Sequence, residues 1–285
     1  MHHITQQVGG TMQIDGKTAV LVHLAYPAAH LQTPQRFNPR CLERGVNAVL
    51  VPWQVQPDHL AETMQVLRHA ESLAGAIVTI PHKETCARLC DRLEGVAEVL
   101  QVANVIRREA DGSLTGRILD GAGFVGGLRR HKVAIPGRAA MIVGAGGVAL
   151  AIAAALIEAG IRRLRVANRT PARAEAMMAR LRLIASEDVL LEVGPADPSG
   201  FDIAINATSL GMHDGDPLPF APDAITPELT VAEVVMVPRV TPLLRAASDR
   251  GATVIPGEAM ISGQIDPFID FVLGAARDAT QPQTA

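Results

Sequence analysis

Aromatic residues are nearly absent from this chain. Its 285 residues include one Trp, one Tyr and six Phe. That scarcity leaves no stacking platform for single-stranded nucleic acid. Neither sign of charge dominates, with 26 Lys plus Arg against 29 Asp plus Glu. Without a basic excess, no nucleic-acid or anionic-membrane partner is expected. The longest apolar run, Val148 to Ile157, is alanine-rich and too short to span a bilayer. The start, Met1-His2-His3-Ile4-Thr5, lacks the charged-then-apolar shape of a secretion signal. Cys41, Cys86 and Cys90 are an odd number of cysteines for a disulfide scaffold, and reduced thiols in the cytoplasm fit them best. His82, Cys86 and Cys90 fall at i, i+4 and i+8. On a helix each step rises about 6 Å, too far for one ion to reach both ends, so no metal is expected.

What is present is an apolar chain, 48% hydrophobic, in which strand and helix patterns alternate. Strands are expected at Ala19 to His23, Ala48 to Val51 and Ala76 to Ile80, and as a pair at Ala103 to Arg107 and Leu114 to Ile118. Helices are expected at Pro34 to Arg44, Asp58 to Glu71 and Lys83 to Leu93. Later strands fall at Ala139 to Val143, Arg165 to Ala167, Ile203 to Asn206, Val231 to Val235 and Thr253 to Ile255, and two closing helices start near Thr241 and Glu258. Such alternation predicts an α/β fold. An N-terminal α/β substrate domain (1–119, completed by 257–285) would face a C-terminal Rossmann-like dinucleotide-binding domain (120–256) across a cleft.

The most specific signal is Gly144-Ala145-Gly146-Gly147-Val148-Ala149, which follows an apolar strand and opens an alanine-rich helix. Gly144 allows the tight turn, Gly146 lets backbone approach a pyrophosphate, and Ala149 is small enough for the helix to pack on the strand. The helix N-terminus then offers N–H groups and a positive dipole end to phosphates. Downstream, where an NAD site usually carries an acid for the ribose 2′-hydroxyl, the chain has Asn168-Arg169-Thr170, and then Arg173. A carboxylate would repel a 2′-phosphate, whereas two guanidinium groups would bind one. NADP is the expected cofactor, with NAD the alternative. A second glycine run, Gly121-Ala122-Gly123-Phe124-Val125-Gly126, has the same spacing but no such cue behind it, and is read as the start of a connecting helix.

Chemistry-bearing residues flank this turn. Thr79-Ile80-Pro81-His82-Lys83 ends a strand, Asn104 follows Ala103, Asp120 follows another strand, and Gly257-Glu258-Ala259-Met260-Ile261-Ser262-Gly263-Gln264 lies near the C-terminus. Together with Asn206-Ala207-Thr208-Ser209-Leu210-Gly211-Met212 and Thr241-Pro242-Leu243-Leu244, their order resembles the shikimate dehydrogenase family over nearly the whole chain. That resemblance implies a catalytic pair, Lys83 and Asp120. It implies substrate contacts from Asn104 and Gln264, with Thr79 in the matching run. It also places Asn206, Thr208, Gly211, Met212 and Gly257 along the cofactor. The physical logic agrees. Hydride transfer to a carbonyl creates an alkoxide, and an ammonium held by a carboxylate supplies both charge and proton.

The match departs on the substrate side. The family carries two serines before a proline, read here as Leu24 and Tyr26 ahead of Pro27. Polar family positions also fall on Ile77, Val105, Ile118, Leu119 and Met236. All but Tyr26 exchange a polar group for an apolar one. Tyr26, His23 or His30 would partly replace the carboxylate partner. The expected substrate is therefore a small cyclic hydroxy acid or ketone less polar than shikimate. The alternatives are an ordinary shikimate or quinate dehydrogenase, a folate-type methylene dehydrogenase, and a non-catalytic nucleotide-responsive protein. A monomer or homodimer is expected.

Overall fold

The computed structural model describes residues 12–29 and 31–278. Their elements follow the alternation in the sequence. In the first half come β1 (Ala19–Ala25), α1 (Thr33–Glu43), β2 (Ala48–Gln54), α2 (Leu60–His69), β3 (Leu73–Val78), α3 (Lys83–Leu89), β4 (Arg92–Leu93), α4 (Val96–Leu100), β5 (Val105–Arg108) and β6 (Leu114–Arg117). The six strands form one mixed sheet ordered β2-β1-β3-β5-β6-β4. β1, β2 and β3 run parallel, and β5 enters antiparallel to β3. The β5–β6 hairpin turns at Asp111-Gly112, where Gly112 takes φ +85°, a conformation other residues reach only with strain.

The second half contains α5 (Asp120–Arg130), β7 (Ala139–Val143), α6 (Gly147–Glu158), β8 (Arg163–Ala167), α7 (Pro171–Leu181), β9 (Leu190–Val193), β10 (Ile203–Asn206), β11 (Thr230–Glu233), α8 (Pro242–Asp249), β12 (Thr253–Ile255) and α9 (Glu258–Asp278). Its sheet is wholly parallel, ordered β12-β11-β10-β7-β8-β9. The chain starts at the centre with β7, steps outward to β9, then returns to the other side of β7 with β10. The winding reverses between β7 and β10, and such a switch point opens a crevice at the strands' carboxyl ends. α6 is buried continuously from Ala149 to Ile157, because alanine lets backbone approach it closely. A Cβ at Gly121 would lie 2.0 Å from the Ala151 carbonyl oxygen.

The second glycine run is a helix, α5, and its glycines have a packing purpose. α5 crosses α9 so closely that a Cβ at Gly123 would meet the Met260 carbonyl oxygen at 2.8 Å. One at Gly263 would meet the Gly123 carbonyl oxygen at 2.1 Å. α9 also packs on the first sheet, where Phe268, Ile269 and Val272 join Leu21, Phe37, Leu50 and Ile77.

Three of the boundaries that differ from expectation have a local cause. The strand expected to reach Ile80 ends at Val78, because the chain turns there, the His82 N–H donating to the Thr79 carbonyl at 2.9 Å. The helix expected to reach Leu93 ends at Leu89. Cys90 turns extended, and the next residues pair with β6, the Asp91 carboxylate also accepting from the Leu114 N–H at 2.7 Å. The helix expected from Asp58 begins as a 3-10 turn over Pro57–His59 and becomes α-helical at Leu60. α4 and the edge strand β9 carried too little periodicity to be read from the sequence.

Candidate active site

Lys83 opens α3, and the loop before it is anchored on β1 and on the segments that follow β2 and precede β5. The Thr79 N–H donates to the Leu24 carbonyl (3.0 Å), the Ala103 N–H donates to the Lys83 carbonyl (3.1 Å), and His82 Nε2 lies 2.9 Å from the Val55 carbonyl. His82 is buried, and burial lowers its basicity. Asp120 opens α5, joined to β6's last residue, Arg117, by the two-residue link Ile118-Leu119. The Lys83 ammonium donates to Asp120 Oδ2 at 2.5 Å, with the lysine side chain 15% exposed and the aspartate 6%. The pair therefore sits at a surface opening rather than in bulk solvent.

Asn104 and Gln264 complete the cluster. Asn104 Nδ2 donates to Asp120 Oδ1 at 2.7 Å, and Gln264 Nε2 donates to the same oxygen at 3.0 Å. Asn104 is itself fixed, its Oδ1 accepting from the Leu119 N–H at 2.8 Å. Each amide has two protons, so each keeps one beyond its bond to Asp120. Gln264 reaches the site because α5 and α9 cross over glycine. The aspartate thus accepts from an ammonium and two amides, an arrangement that keeps the lysine aimed.

Thr79 is half-buried just before this loop, and the Tyr26 N–H donates to the Ile80 carbonyl at 3.2 Å, which puts Tyr26 beside it at 39% exposure. Leu24 requires a correction. The sequence puts it where a carboxylate-holding serine would stand. The structure seals it in the core at 0% exposure, packed with Leu60, Met64, Val78 and Cys86, so it lines no cleft. Ile77 and Val105 are likewise core residues, in the cluster with Phe37 and Phe268. His30 lies outside the described residues. Cys86 and Cys90 are turned into the core, where burial raises both thiols, Cys90 to about 12. Among the described residues no group of three or more His, Cys, Asp or Glu is placed to hold a metal.

At the second sheet's switch point, Gly144 takes φ +118° and a Cβ there would lie 2.7 Å from the Ala207 carbonyl oxygen. The turn after β7 therefore touches the loop after β10. Ala145 is half-buried at that turn. Gly146 and Gly147 have nothing within 4 Å of a built Cβ, so the α6 N-terminus opens onto space. Val148 and Ala149 follow, Ala149 fully buried on the sheet. Asn168, Arg169 and Thr170 follow β8, with Asn168 Nδ2 bonded to the Thr170 carbonyl at 2.9 Å. Arg169 and Arg173 are exposed and make no ion pair among the described residues. A bare helix N-terminus on a glycine turn, flanked by two unpaired guanidinium groups, fits a phosphorylated dinucleotide.

The Asn206 loop is wound around its own side chains. Asn206 Oδ1 accepts from the Thr208 N–H (3.1 Å) and hydroxyl (2.6 Å), while its Nδ2 donates to the Leu210 carbonyl (3.0 Å). Gly211 takes φ +97° against Thr241, and Met212 is 49% exposed. Gly257 sits where a Cβ would strike the Val235 carbonyl oxygen at 2.3 Å, immediately before α9. One participant escaped the sequence. Glu233 is fully buried at the end of β11, within reach of Asn206. A lone acid inside the apolar run Val231 to Val237 was its only signal.

Two family models match the chain: the shikimate dehydrogenase substrate binding domain over residues 24–106, and shikimate / quinate 5-dehydrogenase over 128–211. A shikimate dehydrogenase (NADP(+)) of Rubrobacter xylanophilus is 41% identical over 252 residues, 87% of this chain and 88% of that one. The chain belongs to the shikimate dehydrogenase family. It is accordingly an oxidoreductase. Solved structures agree. A shikimate dehydrogenase in complex with NADP+ is 28% identical, with TM-score 0.84 over 92% of each chain. A 5-ketofructose reductase of Gluconobacter sp. strain CHM43 is 26% identical, with TM-score 0.84 over 91% of this chain and 94% of that one.

Proposed function

We propose that this protein is an NADP-dependent dehydrogenase that interconverts a ring hydroxyl and a ketone on a small cyclic hydroxy acid, with its preference moved from shikimate toward a less polar substrate. The observation that carries this reading is the Lys83–Asp120 ion pair, held by Asn104 and Gln264 at an opening of the first sheet's domain. Residues 1–119 with 257–285 form the substrate domain in this reading, and 120–256 the cofactor domain. NADPH, when bound, supplies the hydride. Gly144 to Ala149 and the α6 N-terminus would hold its pyrophosphate. Asn168, Arg169, Thr170 and Arg173 would hold the adenosine 2′-phosphate, and Asn206, Thr208, Gly211, Met212 and Gly257 would border the remainder. Relatives named for NADP(+), and the unpaired Arg169 and Arg173, support that choice.

Lys83 delivers a proton to the carbonyl oxygen as negative charge develops there, and its ammonium stabilises the alkoxide. Asp120 aims the lysine. The spare amide protons of Asn104 and Gln264, together with Thr79 and Tyr26, are available to substrate hydroxyls. The burial of Leu24 moves the family's hydroxyl-before-proline pair one pattern onward. Leu31 and Thr33 stand ahead of Pro34, with Thr33 at the first turn of α1. In this register one hydroxyl survives. Ile77, Val105 and Ile118 are core residues, so the shifted preference then rests on Leu31, Leu119 and Met236.

The test is steady-state kinetics on a panel of cyclic hydroxy acids and their ketones with NADP and NAD. Each lost neutral hydrogen bond weakens binding by about 0.5–1.5 kcal/mol, so shikimate is expected to turn over far more slowly than the best panel member. The 41% identity to a shikimate dehydrogenase favours a second reading, an ordinary shikimate or quinate dehydrogenase. Shikimate or quinate as the preferred substrate at full efficiency would establish it.

A further inference from the structure

Glu233 has no place in the chemistry above, yet it occupies a junction. It is 0% exposed. Its Oε2 accepts from the Thr241 hydroxyl at 3.1 Å and, more weakly, from Asn206 Nδ2 at 3.4 Å. Thr241 Oγ1 in turn accepts from the Leu244 N–H at 3.2 Å, capping α8. Asn206 organises the loop that touches the Gly144 turn, since a Cβ on Gly144 would meet Ala207 and Thr208. A continuous path of contacts therefore runs from Glu233 through Asn206 and Thr208 to the glycine turn. The other carboxyl oxygen, Oε1, is buried with no hydrogen-bond partner among the described residues. A buried oxygen without a donor is costly to charge.

We propose that Glu233 is a positioning residue for the cofactor: from the end of β11 it fixes Asn206 and Thr241, and so sets the shape of the 206–212 loop against the Gly144 turn, in its protonated form. This rests on the reading of those two loops as the NADP site. The groups that reach Glu233 are Asn206 from β10 and Thr241 ahead of α8, both uncharged. β12 faces β11 with Thr253, Val254 and Ile255, none of them titratable. On the adjoining loops Asp214 is exposed to solvent, and Asp216 and Arg239 have other partners. Asp216 accepts from the Gly211 and His213 N–H groups, with His213 Nδ1 3.8 Å away, and Arg239 pairs with Glu258 at 3.0 Å. Burial pushes the Glu233 carboxyl up to about 7. Ionisation leaves Oε1 bare, and the Asn206 amide is then drawn from the Leu210 carbonyl, which loosens the loop. An anionic dinucleotide on the far side of that loop opposes the same ionisation. Both effects weaken NADP binding as pH rises.

The test is calorimetric titration of the full chain with NADP from pH 6 to pH 9, for wild type, Glu233→Gln and Glu233→Ala, with kcat at saturating NADP. Taking the ratio of wild type to Glu233→Gln cancels titration of the 2′-phosphate. The wild type is expected to weaken by about 10-fold relative to Glu233→Gln over this range, the linkage of roughly one pKa unit. Glu233→Ala is expected to bind roughly 10-fold more weakly at every pH, from the loss of its two hydrogen bonds. kcat should stay within about 2-fold for both variants, as lost cofactor positioning before saturation appears in KM. Parallel pH profiles for wild type and Glu233→Gln would overturn the proposal, as would wild-type binding by Glu233→Ala. Arg169→Ala separates the two levels. If it leaves NADP affinity unchanged, the cofactor-site reading fails; if it weakens NADP while the Glu233 profiles stay parallel, the positioning role alone fails.

Discussion

Asp120→Asn is the sharpest perturbation of the site. The carboxylate accepts three donors: Lys83 Nζ at 2.5 Å, Asn104 Nδ2 at 2.7 Å and Gln264 Nε2 at 3.0 Å. An asparagine brings an amide donor into that ring of donors. Whichever way it turns, at least one buried donor loses its acceptor, and the 15%-exposed Lys83 loses its counter-charge. A stranded donor costs about 1–3 kcal/mol and a broken buried ion pair about 3–5. Urea unfolding at pH 7 should show a loss of roughly 3–4 kcal/mol, the lower part of the ion-pair range because the lysine retains some solvent. Turnover should fall by about 10²–10⁴, the span of a lost general acid–base contribution. Lys83→Met should be at least as damaging to turnover. The double variant is the decisive assay. Residues acting as a unit are non-additive, so the stability losses should sum to less than their parts by more than about 1 kcal/mol. Its turnover should be no lower than that of either single variant. Stability losses that add to within about 0.5 kcal/mol, with turnover losses that multiply, would refute the coupling on which the mechanism depends.

Other outcomes follow from the same geometry. Replacing Arg169 and Arg173 together by alanine should raise KM for NADP by about 10–100-fold, the loss of charge-assisted contacts, while KM for NAD and kcat stay nearly constant in steady-state assays. Gly144→Ala combines φ +118° with a Cβ 2.7 Å from the Ala207 oxygen, so cofactor titration should show binding lost. Met236→Tyr, which puts a hydroxyl back at that polar family position, should raise shikimate efficiency by roughly 10-fold, the worth of one hydrogen bond, in the substrate panel. The raised Glu233 carboxyl also has a stability consequence. Its pKa moves from 4.5 to about 7 on folding. The native state therefore binds more protons than the unfolded state between those values, and stability declines as pH rises through that window and levels off above it. Urea midpoints at pH 5 and pH 8 should show a decline, worth at most ~3 kcal/mol, in wild type but not in Glu233→Gln.

The sequence by itself determined the alternation of strands and helices, the glycine turn at Gly144 and the arginines at 169 and 173. It also placed Lys83 at the start of a helix and Asp120 just ahead of the glycine run read as a connecting helix. These are local features, legible because turns, helix starts and side-chain periodicity are written within a few residues. Only the tertiary structure decided that Gln264 meets Asp120, 144 positions away, because the crossing of α5 and α9 depends on backbones that approach where no Cβ intervenes. It also decided that Leu24 is core and not cleft, since one strand residue looks the same on either face until both faces are packed. The same holds for Glu233. Its burial beneath the Asn206 loop is set by the pairing of β10 with β11 and by Thr241 closing over it, contacts between segments whose own residues carry no sign of one another.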